Sequence, residues 1–165
     1  RFLLSILFWL RLGSMQSVIR RMRESDLDEI LSIEKACFLS PWSRCAFENE
    51  MRAVYAFPLV MARTEAPRIQ GYLCFWIVLD ECHILNLAVH PDCRRKGVAS
   101  RLISNLLEFC RRKRILSCYL EVRASNRIAR TLYNKFGFED QGIRKQYYPD
   151  TDEDALIMKR RISCP

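Results

Sequence analysis

Residues 86–110, NLAVHPDCRRKGVASRLISNLLEFC, constrain the fold more than any other stretch of the chain. They begin as a short apolar strand, pass through a turn and a basic loop, and continue as a helix. The apolar residues of that helix recur at three- and four-residue spacing and share one face: Val98, Leu102, Ile103, Leu106, Leu107 and Cys110. Because such a face must be buried, the helix is predicted to pack on a sheet that contains the preceding strand.

The loop that opens this helix has the composition of an anion-binding site. Arg94, Arg95 and Lys96 bring three cations to a helix N-terminus, where backbone N–H groups are free and the helix dipole is positive. Gly97 permits a positive φ or a close approach of the backbone to a ligand. These residues fit a phosphate site, and they also fit an ordinary turn with a solvated basic loop. The spacing matches neither G-x-x-x-x-G-K-S/T nor G-x-G-x-x-G, which disfavours a nucleoside triphosphatase and a dinucleotide-binding protein.

Size and charge indicate one domain with an acidic or phosphorylated partner. The chain has 165 residues, of which 50% are hydrophobic, enough for a single full core. Its formal net charge of +8 favours nucleic acid, acidic surroundings or a phosphorylated ligand without choosing among them. Two histidines and the absence of a C-x-x-C motif disfavour a zinc site. Cysteines inside apolar runs are predicted to be reduced core thiols of a cytoplasmic protein: Cys37, Cys74, Cys82, Cys110 and Cys118.

The first 14 residues, RFLLSILFWLRLGS, differ from the rest of the chain. Their apolar run is too short for a membrane span of roughly 20 residues, and a clear signal-peptide cleavage site is missing. Met15 directly precedes the first predicted strand. Residues 1–14 are therefore expected to be an upstream extension, and residues 15–165 the folded domain.

The order of elements predicts a mixed α/β single domain: strand, two helices, three strands, helix, strand, helix and two strands. The predicted strands are 17–22, 54–63, 69–79, 82–89, 116–122, 138–143 and 155–161, with a loop at 147–152 between the last two. Three helices begin at predicted N-caps, which are Ser25, Ser43 and Asn126, and Gly137 ends the last helix. In that last helix Ile128, Leu132 and Phe136 recur at four-residue spacing and form the expected apolar stripe.

The basic loop resembles the pyrophosphate loop of the GNAT superfamily of N-acetyltransferases, Q/R-x-x-G-x-G/A. Arg94 is the first residue of the pattern, Gly97 the middle one and Ala99 the last, a tolerated variant of the more frequent glycine. The resemblance implies a mixed, mostly antiparallel sheet flanked by helices, and acetyl-CoA as the ligand.

Acetyl transfer to an amine needs a proton acceptor, oriented donors at the carbonyl, and a proton donor for the leaving thiolate. Glu121 ends a predicted strand beside the loop and could be the acceptor, or it could be a surface carboxylate paired with Arg123. Asn126 and Tyr133 are seven residues apart and share a helix face. Tyr133 could be the donor with Asn126 touching the coenzyme, or the two could be a packing residue and a helix cap, and periodicity leaves both open.

Further motifs resemble one branch of the superfamily, the RimI-type ribosomal-protein-alanine N-acetyltransferases. They are the segment LEVRASN at 120–126, Leu132-Tyr133, Gly137-Phe138, Tyr147-Tyr148-Pro149 and Pro41-Trp42-Ser43. The resemblance implies that Glu121 accepts the proton, that Tyr133 donates one, and that the Val89 N–H polarises the thioester carbonyl. The residues implied in holding acetyl-CoA are Leu87, Ala88, Val89, Arg94, Arg95, Lys96, Gly97, Val98, Ala99, Ser100 and Asn126. Candidate residues of the acceptor cleft are Trp42, Arg144, Tyr147 and Tyr148.

The resulting hypothesis is a cytoplasmic enzyme, a monomer or weak dimer without a metal or membrane partner. It acetylates the N-terminal α-amine of a protein, expected to be the N-terminal alanine of a small-subunit ribosomal protein, by direct transfer in a ternary complex. One alternative keeps the chemistry and uses a small amine or a lysine side chain as acceptor. Another is a basic module that docks on ribosomal RNA without turnover, although the sequence lacks the aromatic-basic interleaving of common RNA-binding domains and stable nucleic-acid binding is not expected.

Overall fold

A seven-stranded sheet organises the part of the chain that the computed structural model describes, residues 17–64, 66 and 68–163. Its strands are β1 (Val18–Arg21), β2 (Ala56–Ala62), β3 (Ile69–Val78), β4 (Glu81–Val89), β5 (Ser117–Arg123), β6 (Glu139–Tyr148) and β7 (Glu153–Arg161), in the order β1-β2-β3-β4-β5-β7-β6. β4 and β5 run parallel, and the other neighbouring strands run antiparallel. The mixed, mostly antiparallel sheet predicted from the sequence is confirmed, whereas the expected extension at 1–14 lies outside the described residues.

Four α-helices flank this sheet within the described residues: α1 (Leu27–Cys37), α2 (Arg44–Arg52), α3 (Val98–Arg112) and α4 (Arg127–Lys135). Successive residues of β3 point to opposite faces, so Leu73 and Phe75 join the core under α3, while Tyr72 and Cys74 join the core under α1 and α2. The apolar face predicted for α3 is fully buried. The predicted order of helices and strands is confirmed as well.

Two predicted helix caps are present. The Ser43 hydroxyl accepts a hydrogen bond from the Ala46 N–H at 3.2 Å, and the Asn126 side chain accepts one from the Ala129 N–H at 3.1 Å. Gly137 follows α4 with a φ of +74°, a conformation that suits glycine at a helix end. Local chemistry therefore fixes these three helix boundaries.

The cap predicted at Ser25 is wrong. A 3₁₀ turn, Glu24–Asp26, precedes α1, and the buried Asp26 carboxylate accepts hydrogen bonds from the Arg23 N–H at 2.9 Å and from the Arg20 guanidinium at 2.7 and 2.9 Å. An ionised carboxylate with an arginine partner forms stronger bonds than a serine hydroxyl, which explains the difference. Burial alone would raise the pKa of Asp26, but the Arg20 and Arg23 hydrogen bonds outweigh it and the pKa lies below its usual value.

The apolar stripe predicted for α4 is also partly wrong. Ile128 is 81% exposed and does not belong to the buried face of α4, whereas Tyr133 is buried. Ala129, Leu132 and Phe136 complete the face that packs on the core. The inward stripe therefore begins one residue later than the spacing from Ile128 predicted, because α4 starts at Arg127 and turns Ile128 to the outside.

Strand ends differ from the prediction where the chain lies at an edge. Val54 is 94% exposed in a turn before β2, and Tyr147 and Tyr148 belong to β6 and not to the following loop. β6 pairs with β7 on one side, and the ladder is irregular after Asp140 and after Arg144. An exposed, irregular edge strand lacks the alternation of apolar and polar residues that predicts strands, so its length could not be read from the sequence.

The described cysteines are free thiols. Cys74, Cys82, Cys110 and Cys118 are buried as predicted, whereas Cys37 is only half-buried. Within residues 17–64, 66 and 68–163, no cluster of three or more His, Cys, Asp or Glu side chains could hold a metal ion. None of the helices in that part of the chain is long and apolar enough to cross a membrane.

Candidate active site

A cleft opens where β4 and β5 separate. The two strands pair from Glu81 with Ser117 as far as Ile84 with Leu120, although both continue beyond that point. Leu85 forms a β-bulge, since Cys74 of β3 pairs with Asn86 and Phe75 pairs with Ile84. The strands therefore diverge in the middle of the sheet and leave a cavity of about 550 Å³ between them.

The β4 wall of this cleft exposes backbone groups. The His90 N–H donates to the Gln70 carbonyl of β3 at 2.9 Å, and backbone groups alternate in direction along a strand. The neighbouring Val89 N–H therefore points away from β3, towards the side on which β5 has diverged. Asn86 and Leu87 line the cavity on the same wall. The Val89 N–H is therefore directed to the side of β4 on which the cleft lies, two residues beyond Leu87, and its role at a carbonyl stays a prediction.

The N-terminus of α3 is built to receive an anion. Gly97 is its N-cap in the left-handed conformation, with a φ of +78°. The first backbone bond runs from the Arg101 N–H to the Gly97 carbonyl at 3.0 Å, so the N–H groups of Val98, Ala99 and Ser100 precede the helical ladder. A Cβ atom built on Gly97 would have no neighbour within 4 Å, so the surface there is open. The observed loop fits a phosphorylated ligand.

The basic side chains of this loop do not all point to one place, as the sequence had suggested they would. The Arg94 guanidinium lies 3.2 Å from the Cys37 sulfur at the end of α1, and the Lys96 ammonium donates to the Asp92 carbonyl at 2.8 Å. Arg95 holds a positive φ of 60°. The loop therefore remains strongly basic, but its side chains take different directions, and the backbone N–H groups provide the geometry of the site.

Glu121 stands on β5 at the side of the cleft opposite Asn86. Its carboxylate forms an ion pair with Arg144 of β6, with Nε and Oε1 3.2 Å apart. The alternative pairing with Arg123 is wrong, because Arg123 is held by both carboxylate oxygens of Asp150 at 2.9 and 2.7 Å. Glu121 lines the large cavity and also a smaller one of about 80 Å³, which it shares with His83, Tyr119 and Arg144. Its side chain is therefore accessible from two directions.

Tyr133 and Asn126 lie in the wall of the same large cavity. Tyr133 is 6% exposed, and its ring meets Phe138 edge-on at 5.6 Å. Burial raises the pKa of Tyr133 above its usual value, so the hydroxyl keeps its proton near neutral pH. The cavity thus contains a carboxylate and a protonated phenol, one on β5 and the other on α4.

Two loops meet at the rim of the cavity. The Ser40 hydroxyl donates to Asp150 at 2.9 Å and joins the loop after α1 to the loop between β6 and β7. The Arg123 guanidinium lies 3.9 Å from the centre of the Tyr148 ring. Burial raises the pKa of Tyr148 to about 12, although the Arg123 charge lowers it. The rim is therefore an ordered network of side chains.

The predicted acceptor residues do not all reach one place. Trp42 lines the large cavity and packs against Phe47 at 5.3 Å between ring centres, and Tyr148 lines the cavity from the other side. Arg144 lies in the smaller cavity instead. Tyr147 is exposed, with the Arg144 guanidinium 5.6 Å from its ring centre. Arg144 and Tyr147 thus form a separate group on the far side of Glu121.

Sequence reasoning missed a buried polar group on the cavity wall. Glu34 is 1% exposed and accepts three hydrogen bonds, from the Trp42 N–H at 2.9 Å, from the Asn86 side chain at 2.9 Å and from the Tyr72 hydroxyl at 2.5 Å. One signal could have found it. Glu34 lies seven residues after Leu27 and four after Ile30, so a charged residue occupies the inward stripe of α1.

Comparisons with known proteins identify the family to which the chain belongs. Residues 27–138 match the model of the acetyltransferase (GNAT) family. A Bacillus subtilis protein, provisionally named as a ribosomal protein bS18-alanine N-acetyltransferase, is 40% identical over 144 residues, which are 87% of this chain and 94% of that protein. The ribosomal protein bS18-alanine N-acetyltransferase of Escherichia coli K12 is 34% identical over 149 residues, 89% of this chain and 99% of that one. The crystal structure of the Escherichia coli ribosomal-protein-S18-alanine N-acetyltransferase superposes with a TM-score of 0.81 at 32% identity, covering 91% of this chain and 96% of that one.

The divided sheet, together with this near full-length similarity to named acetyltransferases, identifies the protein as an N-acetyltransferase. The chain belongs to the GNAT acetyltransferase family, whose model spans most of its folded part. Enzymes of this family use acetyl-CoA as the acetyl donor.

Proposed function

We propose that the protein acetylates the N-terminal α-amine of another protein, and that its acceptor is the N-terminal alanine of a small-subunit ribosomal protein, the counterpart of bS18. Support comes from two relatives that are named for this reaction. The similarity covers 94% of one relative and 99% of the other. The observation that carries the chemistry is that Glu121 and Tyr133 line one cavity, whose β4 wall leads through Leu87 towards the loop before α3.

Acetyl-CoA supplies the acetyl group as an activated thioester. In this chain its diphosphate would be held by the N–H groups of Val98, Ala99 and Ser100 and by the basic residues Arg94, Arg95 and Lys96. The left-handed, open backbone at Gly97 supports this assignment. The backbone of Leu87, Ala88 and Val89 and the side chain of Asn126 would contact the rest of the coenzyme, and Leu87 and Asn126 line the cavity.

Glu121 acts as the proton acceptor, directly or through a water molecule, for the ammonium group of the acceptor. Arg144 orients the Glu121 carboxylate through their ion pair. The Val89 N–H polarises the carbonyl that is attacked. Tyr133, whose hydroxyl keeps its proton, donates it to the sulfur that leaves. Transfer is direct within a ternary complex, without an acyl-enzyme.

The acceptor peptide would approach Glu121 between the rim loops. Trp42 and Tyr148 line the cavity there and would contact its first residues. Arg144 and Tyr147 lie on the far side of Glu121 and would contact later residues of the peptide. Aromatic side chains provide large contact areas at low entropic cost, which suits them to binding an extended chain end.

An assay with purified protein and acetyl-CoA tests the proposal. An alanine-initiated peptide should be acetylated, and the same peptide with a blocked N-terminus should not, as read by mass spectrometry. A polyamine and a peptide with an internal lysine are the competing acceptors. Product from either of these alone would contradict N-terminal acetylation, and the masses of ribosomal proteins from cells with and without the enzyme would identify the acceptor.

A further inference from the structure

We infer that Glu34 is a positioning residue for the acceptor side of the cleft, acting through the Trp42 loop and Asn86 without touching the reacting atoms. The inference deepens the proposed function and rests on it. One carboxylate, 1% exposed, holds three partners from three different parts of the fold at 2.5 to 2.9 Å. The partners are the Trp42 backbone, Tyr72 of β3 and Asn86 of β4.

The convergence of three donors explains why a carboxylate stands here. A carboxylate offers about four acceptor positions and no donor, so it can satisfy the Trp42 N–H, the Asn86 amide and the Tyr72 hydroxyl together. A glutamine could still satisfy the site, because its N–H₂ group could donate to the Tyr72 oxygen while the Tyr72 hydroxyl donates to the Asn86 side-chain oxygen, 3.4 Å away. A leucine would leave the Trp42 N–H and the Asn86 N–H₂ group without their acceptor. Among the ion pairs of the described residues none includes Glu34, whereas Glu121 and Asp150 each pair with an arginine. Glu34 is therefore specialised for neutral partners.

Two of these partners, Asn86 and Trp42, belong to the segments that form the walls of the cleft. Asn86 directly follows the bulged Leu85, at the point where β4 leaves β5. Trp42 belongs to the loop after α1, which lines the cavity together with Phe38, Leu39 and Ser40. Glu34 thus fixes one strand wall and one loop wall relative to each other. Glu121, Tyr133 and the N-terminus of α3 lie outside this network of hydrogen bonds.

The inference predicts a selective defect in Glu34→Leu. The KM for the alanine-initiated peptide should rise about tenfold, because the Trp42 N–H and the Asn86 amide lose their buried acceptor and the wall that the peptide contacts is distorted. The kcat should change by less than about threefold, and the Kd for acetyl-CoA, measured by calorimetry, should stay within about twofold of wild type. Glu50→Leu is the matched control. Glu50 of α2 also accepts a bond from a neutral donor, the Trp76 indole N–H at 2.7 Å, and lies outside the cavity lining, so neither constant should change.

A second measurement does not depend on turnover. Hydrogen exchange of the Trp42 amide, followed by NMR, should become about tenfold faster in Glu34→Leu, because its acceptor has been removed, and should be unchanged in Glu50→Leu. If wild-type protein is inert to the peptide but this exchange accelerates, the proposed acceptor fails and the positioning role stands. Unchanged exchange overturns the positioning role even if wild-type activity is as proposed.

Tyr72→Phe covers the case in which Glu34→Leu does not fold. It removes one of the three bonds and keeps the buried ring, so the peptide KM should rise about threefold with acetyl-CoA affinity unaltered. An equal loss of acetyl-CoA affinity in either variant would show a general packing role and overturn the inference. A peptide KM equal to that of wild type in Tyr72→Phe and in a folded Glu34→Leu would overturn it too.

Discussion

The coenzyme end and the acceptor end of the cleft are built in opposite ways. At the coenzyme end, one continuous stretch of chain presents backbone N–H groups at an open surface around Gly97. At the acceptor end, Glu34, Trp42, Asn86 and Tyr148 come from four separate elements and are held by side-chain bonds. The first design binds a feature common to many ligands, a phosphate group, and the second can be altered residue by residue.

The largest effect is expected between the two ends, at Glu121. Glu121→Gln removes the proton acceptor and should lower kcat by roughly 10²–10⁴-fold, the usual contribution of general acid-base catalysis. The Kd for acetyl-CoA should be unchanged. Steady-state kinetics and calorimetry measure the two quantities. Glu81→Gln, an exposed carboxylate on β4 paired with His83, is the control and should keep wild-type kcat; an unaltered kcat in Glu121→Gln would remove this residue from the mechanism.

Gly97→Val should weaken acetyl-CoA binding and leave the acceptor end of the cleft unchanged. The left-handed backbone costs an ordinary residue roughly 1–2 kcal/mol, so the loop should relax, and the branched side chain would block the approach of a ligand. We expect the Kd for acetyl-CoA to rise about 100-fold, as measured by calorimetry. Gly142→Val, at an exposed position of β6 with a Cβ contact no closer than 4.0 Å, should bind normally. Wild-type affinity in Gly97→Val would refute the assignment of this loop.

Tyr133→Phe should lower the rate of catalysis without changing the affinity for acetyl-CoA or for the acceptor peptide. The phenyl ring keeps its edge contact with Phe138, and only the proton donor is lost, so kcat should fall about tenfold with both binding constants unchanged. Because burial raises the pKa of Tyr133, wild-type activity should not decline from loss of this proton as pH approaches the ordinary tyrosine value near ~10. Tyr55→Phe, on the surface, is the control. If kcat is the same in Tyr133→Phe, the tyrosine is a packing residue.

The smallest effect on activity is expected at Asp26, which anchors α1 outside the cleft. The folded-state pKa of Asp26 lies below its unfolded value, so the carboxylate stabilises the fold above ~4 and this contribution is lost as pH falls through the folded pKa. Asp26→Asn should lower the free energy of unfolding by about 1–3 kcal/mol at pH 7, with a smaller difference in acid. Urea unfolding measures it, with exposed Asp28→Asn as the control, and a difference independent of pH would argue against the ionic role.

Sequence could predict what local rules determine. The order of elements, the buried face of α3, the caps at Ser43 and Asn126 and the loop at Gly97 all follow from spacing and composition within short windows. The inward stripe of α1 could have indicated that Glu34 is buried, but not what it binds, because its partners lie 8, 38 and 52 residues away along the chain. The alternative pairing of Glu121 with Arg123 was wrong for the same reason. Arg123 is near in sequence, but Asp150 holds it, and Arg144 reaches Glu121 across the sheet.

The separation of β4 from β5 gives the sheet two extra borders in its interior. Outer borders can be protected by charges or irregular pairing, as β6 is, but an interior border that receives substrates must stay uncovered. Beyond Ile84 and Leu120, the last paired residues, the facing edges of β4 and β5 can therefore form hydrogen bonds with a bound molecule. The melting temperature of the protein should then rise with the fraction of enzyme that has acetyl-CoA bound, as mass action requires. Acetyl-CoA would stabilise the fold as well as react.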